Sequence, residues 1–286
     1  MKIAITGICG YIGSHLAYSL YQDGHKIIGF DNNLNQNNLD FIDKLHFWDI
    51  NTPYTNKQSF DCVVHLASAT MVEESVKKPW LFYNTNIFGT KNVIETLPTD
   101  HFVFSSSGSA FNPQSSPYAA SKKAAEEIVA EHCTNFTNLR FFNVSGNAGF
   151  SKFENNYYHL IRRAAATANG IFPNIEVYGN NYDTRDGTCI RNYTHITDIV
   201  NGIKKCVYST PANNNFECLG NSKGYTVLEV IKTMQKVSCK DFPIIYKPKR
   251  QGDIDISTVP KESKFFKETK TLEDQCIDAL HYERPL

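Results

Sequence analysis

A short apolar strand, Lys2-Ile3-Ala4-Ile5, runs into Thr6-Gly7-Ile8-Cys9-Gly10-Tyr11-Ile12-Gly13 and then into a helix-periodic stretch with Ile12, Leu16 and Leu20 on one face. Nothing else in the chain restricts its fold as strongly. Strand, glycine turn and helix in immediate succession form the phosphate cradle of a dinucleotide-binding βαβ unit. Glycine lets the backbone approach a pyrophosphate, and the helix N-terminus offers N–H donors and the positive end of its dipole to the anion. The next strand-like stretch, Lys26 to Phe30, ends at Asp31. A carboxylate there accepts both hydroxyls of a ribose and repels a 2′-phosphate, so the expected cofactor is NAD. Gly7, Gly10, Tyr11, Ile12, Gly13 and Asp31 are the first candidate cofactor-binding residues.

With 286 residues the chain can bury a large core, and one domain with an appended lobe is expected. Lysine plus arginine and aspartate plus glutamate number 29 each, so no nucleic-acid partner is implied. No apolar run approaches the ~20 residues needed to span a bilayer, and no membrane partner is expected. Strand-like residues begin at Lys2, so no signal peptide is expected. The eight cysteines show neither Cys-x-x-Cys pairs nor metal-ligand spacing. They read as reduced thiols of a cytoplasmic protein with no metal site.

The first half alternates strands and helices. Candidate strands are Lys2–Thr6, Lys26–Asp31, Leu45–Trp48, Cys62–Leu66, Phe102–Ser105 and Leu139–Phe142, with long helices over Val76–Leu97 and Tyr118–Cys133. Several of these strands are short apolar runs, as in a parallel sheet buried on both faces. From about Gly146 the alternation fades into loops, a helix over Leu160–Ala168 and a closing Lys-, Pro- and Glu-rich segment. The fold class expected is α/β: a doubly wound parallel-sheet NAD-binding Rossmann domain over 1–145 and a smaller substrate lobe over 146–286, from which about 174–209 returns to the Rossmann domain. A cleft at the carboxyl ends of the strands is the expected ligand site.

The fifth strand ends in Ser105-Ser106-Ser107, and Pro117-Tyr118-Ala119-Ala120-Ser121-Lys122 follows. Four residues apart on a helix, the phenol of Tyr118 and the ammonium of Lys122 share a face. Tyrosine ordinarily titrates near ~10, too high for a base at neutral pH. A neighbouring ammonium and a positive nicotinamide favour the phenolate. Tyr118 then takes a proton from a sugar hydroxyl as hydride leaves the same carbon, with Ser107 bonded to that hydroxyl. Ser107, Tyr118 and Lys122 are the candidate catalytic residues.

With these residues in view the chain resembles the extended short-chain dehydrogenase/reductases, and within them the UDP-glucose/UDP-galactose 4-epimerase family, almost end to end. The Gly-x-x-Gly-x-x-Gly spacing of the first turn is typical of that class. The resemblance implies that Asp31-Asn32 and Asp49-Ile50 hold the adenosine half of NAD. It puts Leu66, Ala67 and Ser68 under the cofactor, with Asn86, Ser105, Tyr118, Lys122 and Phe142 about the nicotinamide. Tyr178-Gly179-Asn180-Asn181-Tyr182-Asp183-Thr184-Arg185-Asp186-Gly187-Thr188-Cys189-Ile190-Arg191-Asn192-Tyr193-Thr194-His195 is close to the epimerase signature. By that match Tyr178 belongs to the substrate site, Arg191 pairs with the diphosphate of a UDP-sugar and Tyr193 lies near it. Arg250-Gln251-Gly252-Asp253 resembles the Arg-x-Gly-Asp turn, with Arg250 on phosphate and Asp253 on the uridine ribose. Ser107, Tyr118, Asn143, His159 and Leu160 complete the substrate contacts.

The match has departures. Thr70 stands where many epimerases carry lysine, Asn192 replaces aspartate, Arg162 replaces proline, and the loops after Asp31 and Ser107 are short. Ser257 occupies the family's gate, where a small residue leaves room for an N-acetyl group, so UDP-N-acetylhexosamines join the expected substrates. The implied reaction inverts C4 of a UDP-hexose through a 4-keto sugar. Alternatives are a 4,6-dehydratase or 4-reductase on the same scaffold, or a non-catalytic NAD-binding protein. A dehydratase usually has an Asp-Glu pair after the strand-five serine, and Gly108-Ser109 stand there. The two long helices resemble those through which family members dimerise, so a homodimer is expected.

Overall fold

The computed structural model describes residues 1–34, 39–148, 157–209, 215–250, 253–261 and 263–282. Gln251 and Gly252 of the Arg-x-Gly-Asp turn lie outside them. In chain order the elements begin β1 (Lys2–Thr6), α1 (Tyr11–Gln22), β2 (Lys26–Asp31), β3 (Lys44–Phe47) and β4 (Phe60–His65). Then come α2 (Val72–Lys77), α3 (Pro79–Tyr83), a π-helical turn at Asn84–Phe88, and α4 (Gly89–Thr96). β5 (Thr99–Ser107), α5 (Pro117–His132), β6 (Phe136–Phe141), β7 (Asn143–Ser145) and α6 (Leu160–Ala168) follow. The chain continues with β8 (Ile175–Tyr178), β9 (Ile190–Arg191), β10 (Tyr193–His195), α7 (Ile196–Tyr208) and β11 (Asn215–Leu219). It closes with β12 (Tyr225–Thr226), α8 (Val227–Ser238), β13 (Ile244–Lys247), β14 (Ile256–Ser257) and α9 (Leu272–Tyr282).

Two compact units result: Met1–Phe141 with Val200–Cys218, and Phe142–Ile199 with Leu219–Leu286. The first holds a seven-stranded sheet in the order β11-β6-β5-β4-β1-β2-β3, reversing direction beside β1 as a doubly wound sheet does. The five pairings among β1 to β6 are parallel. Both faces of β1, β5 and β6 are covered, which is why these strands read as apolar runs rather than alternations. Phe30, Trp48, Val63, Phe102, Phe104 and Val129 belong to one core cluster of this unit. The returning segment starts later and runs further than the expected 174–209, because β11 pairs at the sheet edge beside β6.

The helix expected over Val76–Leu97 is instead interrupted. Pro79 lacks an N–H and pushes Lys78 off helical geometry, to φ −133° and ψ 60°. Helix resumes at α3 and passes through the π turn that carries Asn86. α5 keeps close to its expected bounds: Pro117 occupies its first turn, and the Ser116 hydroxyl accepts the N–H of Ala119 at 3.1 Å.

Among its described residues the second unit has no comparable sheet. Its strands pair as β10-β7, β12-β9-β14 and β13-β8. Ile161 and Ala165 of α6, Ile231 and Met234 of α8 and Cys276 of α9 pack into one cluster. A full capping box, Thr226 with Glu229, starts α8. Among the described residues no helix is long and apolar enough to cross a membrane, and all eight cysteines are free thiols.

Candidate active site

The glycine turn is closed to side chains. A Cβ on Gly13 would stand 2.2 Å from the Gly7 carbonyl oxygen, and one on Gly7, at φ +68°, would stand 2.6 Å from the Ala67 nitrogen. β1, the first turn of α1 and the chain leaving β4 therefore meet backbone to backbone, which brings Leu66 and Ala67 beside the glycine turn. No side chain caps α1 at Gly10, and its first turn holds no acidic residue. Both conditions suit a phosphate. Asp31 reaches the same turn, its Oδ2 accepting the N–H of Cys9 at 2.9 Å and its Oδ1 that of Asn33 at 3.0 Å. Burial pushes this carboxyl above its ordinary range against the pull of those N–H groups. These residues fit a dinucleotide with free ribose hydroxyls, the donors such a carboxylate pairs with.

The outlying cofactor residues are held by local bonds. Asp49 accepts the backbone and side-chain N–H groups of Asn51 at 2.9 and 2.8 Å, and Asn32 is exposed. Ile50 fills the space over Gly89, where a Cβ would meet its Cδ1 at 2.7 Å. Asn86 accepts the Ala69 N–H at 2.8 Å, donates to the Ala69 carbonyl at 3.0 Å and donates to Ser121 at 2.9 Å. Its amide thus pins the loop after β4, which contains Ser68, to α5. Beneath the sheet end, Thr6 Oγ1 and His65 Nδ1 lie 2.6 Å apart, and burial pushes His65 down to about 3, so its imidazole is neutral.

Ser107, Tyr118 and Lys122 come together at the carboxyl end of β5. Burial raises the Tyr118 phenol above its ordinary value, while a hydrogen bond with Ser107 pulls it down. Ser107 Oγ also accepts the N–H of Ser109 at 3.1 Å. Lys122 is 2% exposed, donates to the Ser105 carbonyl at 2.8 Å and is pushed down to about 7 by burial, with Glu126 opposing. The opposing pull on Tyr118 thus comes from Ser107 rather than from Lys122, and desolvation of the phenol outweighs it. Sequence reasoning missed Glu126, although its place one turn beyond Lys122 and two beyond Tyr118 puts it on their face of α5. Glu126 Oε1 accepts the Ser106 hydroxyl at 2.5 Å, and Arg140 donates to both its oxygens at 2.7 and 2.6 Å.

In the second unit β14 pairs with β9, setting Ser257 abreast of Arg191. Arg191 donates to the Ile254 carbonyl at 2.8 Å and lies 3.4 Å from the carboxylate of Asp253. Tyr182, which the expected site omitted, reaches the other oxygen of Asp253 at 3.4 Å. The guanidinium of Arg250 stacks 4.0 Å over the ring of Tyr178. Arg191, Asp253 and Arg250 all act on the thiol of Cys189, so this unit gathers two guanidinium groups and a carboxylate around one strand. Asn143 is tied by its amide to the Asn192 carbonyl at 3.0 Å. His159 sits exposed at the N-cap of α6, and Leu160 packs on the unit's core. Phe142 is half-buried.

Tyr193 is 5% exposed within the core cluster of the second unit, where burial raises its phenol and the charge of Arg191 pulls it down. The departure at Asn192 has a structural account. Its amide donates to the carbonyl and to the side-chain oxygen of Asn221, the latter at 2.6 Å, and an aspartate has no proton for either.

Residues 3–216 match the NAD dependent epimerase/dehydratase family. UDP-glucose 4-epimerase 4 of Oryza sativa subsp. japonica is 31% identical, over 98% of this chain and 89% of the rice protein. The crystal structure of UDP-glucose 4-epimerase from Brucella ovis in complex with NAD is 26% identical and similar at a TM-score of 0.85, over 99% of this chain and 98% of that one. The UDP-Glc/GlcNAc 4-epimerase of Campylobacter jejuni is 28% identical with a TM-score of 0.75, over the same 99% and 98%. What the glycine turn and the serine-tyrosine-lysine set imply, these likenesses bear out along the whole chain, which belongs to the NAD dependent epimerase/dehydratase family.

Proposed function

We propose that the protein inverts C4 of a UDP-hexose through a 4-keto sugar, with NAD as its cofactor. The observation that carries this reading is the convergence of Ser107, Tyr118 and Lys122 at one strand end of a unit whose glycine turn and Asp31 suit NAD. When bound, NAD supplies reversible storage of the C4 hydride, so the net redox change is zero. Tyr118, as phenolate, takes the proton of the C4 hydroxyl and later returns it. Ser107 holds the same oxygen and lowers the phenol's affinity for its proton. Lys122, as ammonium, binds the nicotinamide ribose and offsets the desolvation of the phenolate. Arg191 and Arg250 bind the diphosphate by their planar forks, with Asp253 on the uridine ribose and Asn143, His159 and Leu160 on the rest of the nucleotide-sugar.

Ser257 extends the range to UDP-N-acetylhexosamines, a breadth that the UDP-Glc/GlcNAc 4-epimerase of Campylobacter jejuni carries in its name. A Ser257→Tyr variant is expected to lose turnover of the acetylated sugars and keep that of the plain ones. An unchanged ratio would sink this specificity. The protein acts as a homodimer in the cytoplasm. Val76, Trp80 and Phe88 support the dimer, being 64%, 73% and 59% exposed on adjoining helical turns where water is a poor neighbour.

Purified protein incubated with UDP-galactose or UDP-N-acetylgalactosamine, without added cofactor, tests the function by proton NMR of the sugar. The gluco epimer is expected. A 4-keto-6-deoxy product would instead mean a dehydratase, and no change even with NAD supplied would overturn the proposal.

A further inference from the structure

Three consecutive residues of β5 engage three successive turns of α5. The Ser107 hydroxyl bonds Tyr118, the Ser105 carbonyl accepts Lys122 Nζ at 2.8 Å, and the Ser106 hydroxyl donates to Glu126 at 2.5 Å. The first two contacts belong to the chemistry above. The third joins a buried ion pair that the chemistry does not use. Arg140, on β6, grips both oxygens of Glu126, and each side chain is 5% exposed. The rings of Phe111 and Phe216 lie 4.2 and 3.9 Å from the same guanidinium, so the loop after Ser107 and strand β11 close over the pair.

An ion pair in such a place is a weak source of stability, because desolvation offsets most of its attraction. Its position next to Lys122 suggests a different use. We propose, building on the epimerase reading, that Glu126 is a positioning residue of the proton-transfer site: held by Arg140 and Ser106, it fixes the end of β5 against α5 and supplies the counter-charge for Lys122. The groups that face Lys122 support this assignment. His65, on β4, is buried and neutral; Phe104 presents its ring at 5.1 Å; Tyr118 is uncharged until it gives up its proton. Glu126 is the group whose charge favours the ammonium. On the far side of Glu126, Cys218 of β11 has its thiol pushed up to about 11 by burial and stays neutral. Arg140, bonded through two of its nitrogens to the carboxylate, keeps Glu126 correctly turned.

The direction of the effect follows. Activity requires Lys122 protonated, so it is lost as pH rises through the lysine's midpoint. Without the carboxylate that midpoint falls, and the alkaline limb of the rate profile moves to lower pH. A merely structural Glu126 lowers stability or rate without moving that limb.

The test uses Glu126→Gln and Ser106→Ala in the full chain, with UDP-galactose as substrate and NMR of ¹³C-labelled lysine to follow Lys122 itself, assigned with Lys122→Arg. Glu126→Gln is expected to lower the Lys122 midpoint by about one pH unit and kcat on the alkaline side by about tenfold, with KM within about twofold. Ser106→Ala, which leaves the ion pair in place, is expected to move both in the same direction by less. A folded Glu126→Gln whose Lys122 titration and pH profile match the parent overturns the proposal. Should Glu126→Gln fail to fold, Ser106→Ala decides, since an unchanged titration there overturns it equally. If the parent protein turns over no UDP-sugar, the epimerase reading fails, while the lysine titration still decides the role of Glu126.

Discussion

The two units hold their functional residues by different means. In the first, each of the proposed catalytic groups and the proposed cofactor-binding Asp31 sits on or at the end of a regular element: Ser107 closes β5, Tyr118 and Lys122 share a face of α5, and Asp31 ends β2. In the second, strands of two to four residues and their connecting loops carry Arg191, Asp253 and Ser257, held by bonds from side chain to backbone. Buried sheet and long helix give the first unit a geometry that local substitutions barely move. The second can change its grip by altering one loop. The proposed chemistry thus falls to the rigid part and the proposed ligand choice to the adjustable part, a division that mutation can break.

The largest effect is expected at Tyr118. Tyr118→Phe should lower kcat by about 10²- to 10⁴-fold with little change in KM, measured by steady-state kinetics on UDP-galactose. A comparable rise in KM would dissolve the contrast between the units. Next comes Gly13→Ala, whose Cβ would press within 2.2 Å of a backbone oxygen. Retained NAD, measured by releasing it from denatured protein, should fall with an affinity loss of about a hundredfold. Arg250→Ala removes a charged bidentate partner and should raise KM about 10- to 100-fold while kcat stays near the parent value. If kcat fell instead, the second unit would share in the chemistry.

The smallest expected effect concerns stability. Burial pushes the Asp278 carboxyl up, but hydrogen bonds from His195, Ala148 and Asn147 outweigh it and hold it at about 2, against an ordinary 3.8. A carboxyl so lowered stabilises the fold above its unfolded value, and the contribution disappears as pH falls from about 4 to about 2. Asp278→Asn should therefore cost about 2 kcal/mol at neutral pH and little at pH ~2. Hydrogen exchange should show the loss in β7, β10 and α9 rather than in the seven-stranded sheet.

The same division decided what the sequence could reveal. Gly7, Gly10, Gly13, Asp31, Tyr118 and Lys122 stand at fixed offsets within single elements, and fixed offsets survive translation into space. The facing of Arg191 and Ser257 depends on a pairing between β9 and β14 that no local pattern announces. Only likeness to known sequences pointed there, and no local pattern announces that Tyr193 joins the core cluster of its unit. Glu126 was readable from its spacing after Lys122, but a charged residue on a helix ordinarily faces water. Its partner Arg140 lies on β6, and β5 and β6 had to be built before the pair could be seen.

The place of β11 in the sheet governs the order in which this chain can finish folding. β6 is complete once Phe141 is made, yet the strand that covers its edge ends at Leu219. During synthesis on the ribosome the β6 edge and the Arg140 stack must wait for Phe216 to emerge, with the Phe142–Ile199 segment already produced in between. A release product ending near Phe141 would bear an unpaired strand edge open to other chains. The first unit is therefore no autonomous cassette to be cut out by its N-terminal boundary, and recombination with relatives must carry Val200–Cys218 along with it.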